Sequence, residues 1–399
     1  MKTTQRRNER SKTLENGRDH SLPIPIDLVF EIFSRLPVKS IAICRCVSKT
    51  WSSILRRQDF TELFLSRSCA LPKLLLACQK DGDLFFFSAP QPQNLDENPS
   101  PVVASCYMKL SLDAYFRNGA FEISGLDQGL MGLTHQWIGE KRKYSVPVIC
   151  NPSTGQLLPL TRVKTRRVKS RNLFGYDPID KQFKVLSVSE VGYGPTNMKY
   201  EEHQVITLQR GKLSQRLFNT DRVLHHLEYS KERCINGVLY YKTIEFSTNT
   251  HILVCFDVRS EKLNYIKVKK FLTKGTMVNY NGKLGLLLSG VYDSIIESST
   301  SVNLWVLEDI EKQDWSEHTY VLPPSWKDIV GRKMLGFVGM TQTNEIVMRS
   351  ERGPRSPFHL FYFNTKKNTV VRVEIQGIDE PEYTRVHIFL DHVENVTLM

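Results

Sequence analysis

Apolar residues recur along this chain with two different periods, and the change falls near residue 70. From Pro23 to Phe64 the spacing is helical. Val29 and Phe33 form one i, i+4 stripe, and Leu28, Ile32 and Leu36 form a second beside it. A surface helix needs one apolar face, and this one has nearly two. Pro25 suits a first turn. Asp27 and Glu31 early in the helix and Arg35 at its end favour the helix dipole, and Pro37 stops it. Asp59 and Glu62 read as a capping box for a last short helix. A unit of ~40 residues is near the size at which a chain cannot close its own core. One stripe can pack on the following helices. The other must be covered by a second protein or by the rest of this one, with the helices as a cap.

After Leu71 the period drops to 2 and turn signals recur about every dozen residues. Five strand–turn–strand units look alike: Val148–Leu158, Val205–Gly211, Leu253–Ser260, Leu304–Glu311 and Leu360–Lys366. Their turns lie roughly 50 residues apart, the period of a four-stranded propeller blade. The hairpin from Leu74 to Phe87, turning at Asp81-Gly82-Asp83, reads as an earlier copy that begins the series. A second hairpin type falls between these units, at Pro178, Asn236-Gly237, Asn281-Gly282 and Gly336–Met348, and Asn-Gly is a strong turn signal. Two hairpins per period give a blade, and about six fit the length. The Pro- and Asn-rich stretch Ala89–Pro101 interrupts the first. A two-sheet sandwich is the structural rival, but it does not explain the recurrence. The segment Thr384–Met399 alternates like a strand and is expected to close the ring.

The run Ile24-Pro25-x-Asp27-Leu28-Val29-x-Glu31-Ile32-Phe33-x-Arg35-Leu36-Pro37-Val38-Lys39-Ser40, followed by Arg45-Cys46-Val47-Ser48-Lys49-x-Trp51, resembles an F-box of the large plant type. The later segment resembles the F-box-associated domain that follows such boxes, notably at Asn151–Gly155, Phe174–Pro178 and Asn236–Tyr240. The expected fold is therefore α+β in two domains: a small helical F-box at 21–66 behind a basic tail at 1–20, then an all-β propeller-like domain at 71–399. The resemblance implies that Ile24, Pro25, Leu28, Ile32, Leu36, Pro37, Val47 and Trp51 bind a Skp1-like adaptor and, through it, a cullin–RING ubiquitin ligase. Cys44 sits where the family often has a larger apolar residue.

Composition narrows the classes. At 399 residues, 41% hydrophobic and 24% charged, the chain is ordinary for a globular protein. No apolar run approaches the ~20 residues that span a bilayer, and the basic N-terminus has no hydrophobic region behind it. A cytoplasmic or nuclear protein with its eight cysteines reduced is expected. The net charge of +12 raises a second function, a nucleic-acid or chromatin binder using the N-terminal tail and the run Arg162–Arg171. About half of the excess lies in the first seventy residues. Neither basic segment has aromatics to stack bases, which argues against nucleic acid.

No G-x-S-x-G, H-E-x-x-H, P-loop or G-x-G-x-x-G motif is present. The cysteines form no C-x-x-C pair, and His225 and His226, adjacent on a strand, point to opposite faces. No metal, cofactor or catalytic residue is expected, although propellers can assemble chemistry at their centre from residues that a sequence cannot show converging. Target choice is expected in loops on one rim of the ring. The first candidate is Pro323–Lys333, where Trp326 follows a Pro-Pro step and Arg332 and Lys333 add charge suited to an acidic or apolar peptide. Packing of Trp326 under its loop is the competing reading. The target protein itself is not legible.

Overall fold

A computed structural model describes residues 24–93, 95, 99–112, 119–138, 143–160, 170–191, 200–209, 212–219, 224–226, 231–245, 248–331, 333–351, 357–378 and 385–397. Four helices come first: α1 (Ile26–Phe33), α2 (Val38–Val47), α3 (Lys49–Ile54) and α4 (Gln58–Ala70). The rest is built of strands, in six sheets.

The first sheet holds β1 (Lys73–Lys80), β2 (Asp83–Pro90) and β4 (Ser105–Ser111), and the two-residue β3 (Val102–Val103) precedes the last of these. The second is β5 (Gly119–Asp127), β6 (Leu130–Ile138), β7 (Lys143–Asn151) and β8 (Gln156–Pro159). The third is β9 (Ser170–Asp177), β10 (Gln182–Val191), β11 (Tyr200–Gln209) and β12 (Lys212–Asn219). The fourth comprises β13 (Leu224–His226), β14 (Arg233–Ile235), β15 (Val238–Glu245), β16 (Thr250–Asp257) and β17 (Leu263–Lys267). The fifth contains β18 (Thr276–Tyr280), β19 (Lys283–Leu288), β21 (Ser301–Asp309) and β22 (Asp314–Val321), with β20 (Ser294–Ile295) inserted before β21. The short helix α5 (Trp326–Val330) leads to the sixth: β23 (Leu335–Met340), β24 (Glu345–Ser350), β25 (Phe358–Asn364) and β26 (Thr369–Gln376), flanked by β20 and β3. The final strand, β27 (Arg385–His392), returns to the first sheet and pairs antiparallel with β1, setting His392 opposite Lys73. The ring is a six-bladed propeller closed by its last strand, as the alternation after Thr384 predicts.

The strands nearest the ring's axis meet across blades: β5, β9, β14, β18 and β23 touch one another in succession, β23 touches β27, and β14 reaches across to β5. Apolar side chains from adjacent blades meet in six seams. Leu173, Val205, Tyr241 and Phe256 join the third and fourth blades, for example, and Leu304, Trp326, Ile346 and Phe361 the fifth and sixth. This corrects the period-2 expectation. The middle strands β1, β16 and β19 are buried at five consecutive positions each, because both faces of their sheet are covered. Alternation survives on outer strands such as β22.

The five similar units are the outer hairpins of blades two to six. Four of the five turns share one device: the side-chain oxygen of Asn151, Asp257, Asp309 or Asn364 accepts from backbone N–H groups two or three residues on; the turn of the third blade, at Arg210-Gly211, lies outside the described residues. The second type is the inner hairpin, and Asn236-Gly237 and Asn281-Gly282 both hold positive φ, as a tight primed turn requires. The Leu74–Phe87 hairpin is neither. It is the middle pair of its blade, because β27 supplies that blade's first strand. The Asp59–Glu62 capping box also fails to form: Arg57 is the N-cap of α4, Asp59 pairs with Arg57, and Glu62 bonds Gln58 and Lys181.

Candidate functional site

The helical module closes a small core on one side only. Val29, Phe30 and Phe33 of α1 are buried against Ile41, Ile54, Leu55, Phe60 and Phe64. Phe30 and Phe60 pack with ring centroids 5.6 Å apart, and Phe33 meets Trp51 edge-on at 5.0 Å. Ser48 caps α3 by accepting from the Trp51 amide at 3.0 Å. Arg67 of α4 donates to the Glu31 carbonyl at 3.1 Å, to Ser34 Oγ at 2.6 Å and to the Glu31 carboxylate. Hydrogen bonds from Arg67 and then Arg35 hold that carboxyl below its usual range.

The other stripe remains outside. Leu28 is 54% and Ile32 53% exposed, and Ile43 and Val47, one turn apart on α2, are 66% and 62% exposed. Ile24 is exposed just ahead of α1, and Pro25 and Pro37 are exposed N-caps of α1 and α2. Of the eight residues implicated by resemblance, six thus face outward. Leu36 and Trp51 are half-buried and packed on the module's own core. Ile43 is the residue the sequence reading missed, although its i, i+4 relation to Val47 is the same signal that singles out Leu28 and Ile32.

The module sits on the rim where the inner and outer hairpins turn, and the chain's last residues lock it there. Val396 is 1% exposed within the helical core, and its carbonyl accepts from Arg45 Nη2 at 2.7 Å, which also bonds the Leu55 carbonyl at 2.8 Å. The Glu394 amide donates to Ser68 Oγ at 2.6 Å. On the propeller side, Asn395 Nδ2 donates to the Gln128 carbonyl at 2.7 Å and its amide to Ser153 Oγ at 3.1 Å. Asn151 Nδ2 reaches the carbonyls of Asn395 and Thr397, both at 3.1 Å. Gly129, at φ +73°, leaves room for this tail, since a Cβ there would lie 2.4 Å from the Val393 carbonyl oxygen.

The predicted target loop is different from expectation. Trp326 is not presented to solvent: it starts α5 and is 4% exposed in the seam between blades five and six, so it cannot be a direct partner contact. Lys333 is half-buried, and Arg332 lies outside the described residues. The basic tail and residues 162–169 of the Arg162–Arg171 run also lie outside them. Arg171 itself is on β9, with Nη2 3.2 Å from a Glu232 carboxylate oxygen. All eight cysteines are free, and among the described residues no three His, Cys, Asp or Glu are grouped as a metal site. No helix of the described residues is long and apolar enough to cross a membrane.

Comparison with known proteins agrees with this geometry. Residues 22–63 match the F-box domain family, and residues 73–393 match the F-box associated beta propeller domain. The F-box protein DOR of Arabidopsis thaliana is 50% identical over 388 residues, covering 96% of each chain. The Arabidopsis F-box protein At5g65850 is 45% identical over 401 residues, covering all of this chain and 96% of its own. The chain belongs to the plant F-box proteins that carry an F-box-associated propeller domain.

Proposed function

We propose that this protein is the target-selecting subunit of a Skp1–cullin–F-box ubiquitin ligase, in the cytoplasm or nucleus. The observation that carries the reading is the split in α1: Val29, Phe30 and Phe33 close the module, while Leu28 and Ile32 stay more than half exposed beside Ile43 and Val47. Burying the remaining surface of each such side chain is worth about 1 kcal/mol or more, so four of them can support a specific complex. The partner the family implies is a Skp1-like adaptor, with the cullin–RING ligase behind it.

The chain works by placement and performs no bond chemistry. The tail contacts of Glu394 to Thr397 tie the helices to the ring, so that adaptor and target would be held in a fixed relation. Proximity of the target's lysines to a charged conjugating enzyme then replaces a bimolecular encounter with an effectively intramolecular one. Affinity purification of the full chain tests this. The wild type should recover a Skp1-class adaptor and a cullin, and Leu28→Lys with Ile32→Lys should lose both while retaining its other partners. Recovery of the adaptor at wild-type level by that variant would remove the reading.

A further inference from the structure

Between Glu261 and Asp293 the chain carries six lysines and no acidic residue, and no arginine falls between Arg259 and Arg332. Two of the six lie apart: Lys262 stands at the outer turn of blade four, and Lys283 pairs with Glu308. The other four, Lys267, Lys269, Lys270 and Lys274, gather on the connection from β17 to β18, which crosses the rim facing away from the helical module. All four are exposed, and none forms an ion pair among the described residues. The connection is held in place. A 3₁₀ turn over Lys270–Lys274 packs on β16 and β19 and closes with the Gly275 amide on the Leu272 carbonyl at 3.1 Å. Lys242, buried on β15, donates its Nζ to the Gly275 carbonyl. Two of the exposed ammonium groups are positioned by rings: Lys269 Nζ lies 5.9 Å from the Trp305 centroid, and Lys274 Nζ 6.0 Å from that of Tyr292. Phe271 meets Trp305 edge-on at 6.0 Å, and both are half-buried.

Beside the lysines stands a fixed apolar point. Ser289 and Tyr292 exchange backbone hydrogen bonds at 2.9 and 3.1 Å across a tight turn, with Gly290 at φ +62°. Ser289 Oγ donates to the Ser301 carbonyl at 2.9 Å, and the turn presents Val291 and Tyr292, each 49% exposed. The acids of this rim are placed elsewhere. Glu317, opposite Trp305, accepts from Asn303 Nδ2 at 2.9 Å, and Glu245 accepts from Thr248 Oγ1 at 2.7 Å. Asp293 and Glu297 follow the turn and are exposed. Four like charges on one short connection repel one another, and an incoming acidic chain relieves that repulsion. We propose that this surface, between blades four and five, binds an acidic segment of the target. Its carboxylates meet the four lysines, and an apolar residue within it packs on Val291 and Tyr292. Separate ammonium groups without an arginine fork suit successive carboxylates better than one phosphoryl group. A nucleic acid needs open rings to stack on, whereas Phe271 and Trp305 pack on each other. The rings that hold Lys269 and Lys274 lower the side-chain entropy that binding would cost. The proposal rests on the target-selecting role above and names the chemistry by which a target would be chosen.

The test uses the full chain and three fluorescein-labelled peptides. The first alternates Glu and Asp around a central Leu-Phe pair. The second replaces its acids by Gln and Asn, and the third keeps the acids but replaces Leu-Phe by Ser-Ser. Anisotropy at about 0.15 M salt should show the first binding at least about tenfold tighter than the second and about threefold tighter than the third. Lys267→Glu with Lys270→Glu should remove the advantage over the second peptide at unchanged melting temperature, because neither ammonium group has a partner in the fold among the described residues. Tyr292→Ala should remove only the advantage over the third. Lys366→Glu with Lys367→Glu, exposed on the outer turn of blade six at the opposite rim, should change affinity less than about twofold. Equal loss in both double variants would show general surface charge and overturn the proposal, as would equal binding of the first and second peptides. Displacement of the acidic peptide by a lower concentration of a phosphoserine peptide without acids, or of a single-stranded oligonucleotide, would assign the surface to that ligand and overturn it too. Adaptor binding, measured alongside, should be equal in every variant. Its absence from the wild type would remove the ligase role and leave the peptide result standing, so the two failures are told apart.

Discussion

Asn151 and Asn395 stand 244 residues apart in sequence and meet directly, Asn151 Nδ2 donating to the Asn395 carbonyl at 3.1 Å. The same Asn151 turns its own outer hairpin by accepting from the Ser153 and Thr154 amides at 2.9 and 3.3 Å. One side chain thus shapes a blade turn and holds the tail that seats the helical module. Asn395 returns the favour locally, accepting from the Thr397 amide at 2.8 Å. Both are buried, so neither can exchange these bonds for water.

Asn151→Ala should therefore destabilise by about 2–3 kcal/mol, more than the loss of one ordinary hydrogen bond, because several buried groups are orphaned. Asn395→Ala should cost a similar amount, and the double variant should cost less than the sum. Urea unfolding of the four proteins measures the coupling. Strict additivity would separate the tail from the turn.

The second expectation concerns the inner hairpins. Asn281 and Gly282 lie at φ +50° and +84°. Asn344 Nδ2 donates to Asn281 Oδ1 at 3.2 Å, and Asn236 Nδ2 donates to the Gly282 carbonyl at 3.0 Å, so the turns of blades four, five and six brace one another. Asn281→Val with Gly282→Val puts β-branched residues at positive φ and breaks both braces. The melting temperature should fall by several degrees or the chain should fail to fold. Asn395→Gln should be destabilising too, because Asn395 bonds Gln128, Ser153 and Thr397.

Acid should weaken the fold in a defined window. Burial holds His392 down to about 3 and His203 and His387 to about 4. Each stays neutral in the fold, whereas the unfolded chain binds its proton near the ordinary ~6.5. Their contribution is complete above that value and falls as the pH drops towards 4. Asp127 and Asp391, pushed up to about 6 by burial, act in the opposite sense. They favour the fold below the ordinary carboxylate range of ~4, and that contribution is lost as the pH rises through 6. Between about 6.5 and 6 the histidines dominate, so urea midpoints should drop on acidification there. The His392 imidazole makes no hydrogen bond among the described residues, and His392→Phe should flatten the slope. An unchanged slope would place its proton elsewhere.

Much of this architecture was visible in the chain because it rests on local rules. Asn-Gly steps and the Asn or Asp that opens four of the outer turns mark the hairpins whatever surrounds them. Phe30, Phe33 and Phe60 had to meet somewhere. What stayed hidden depends on contacts distant in sequence. The two stripes of α1 were plain, but only packing decides that Leu36 and Trp51 turn inward. Trp326, Ile329 and Val330 carried helical spacing that the Pro-Pro step disguised as an open loop. Nothing local announces that Val396 completes a core made some 350 residues earlier.

The most direct measurement is calorimetric titration of a Skp1-class adaptor into the full chain and into Leu28→Lys with Ile32→Lys, with melting temperatures taken alongside. The wild type should bind with one-to-one stoichiometry. The variant should lose at least about a hundredfold in affinity, roughly 3 kcal/mol, at an unchanged melting temperature, because both side chains are exposed in the free protein. Phe33→Ala, by contrast, should cost about 3–5 kcal/mol of stability in the helical module. Undiminished adaptor binding by the Leu28→Lys, Ile32→Lys protein would contradict the docking role of the exposed stripe.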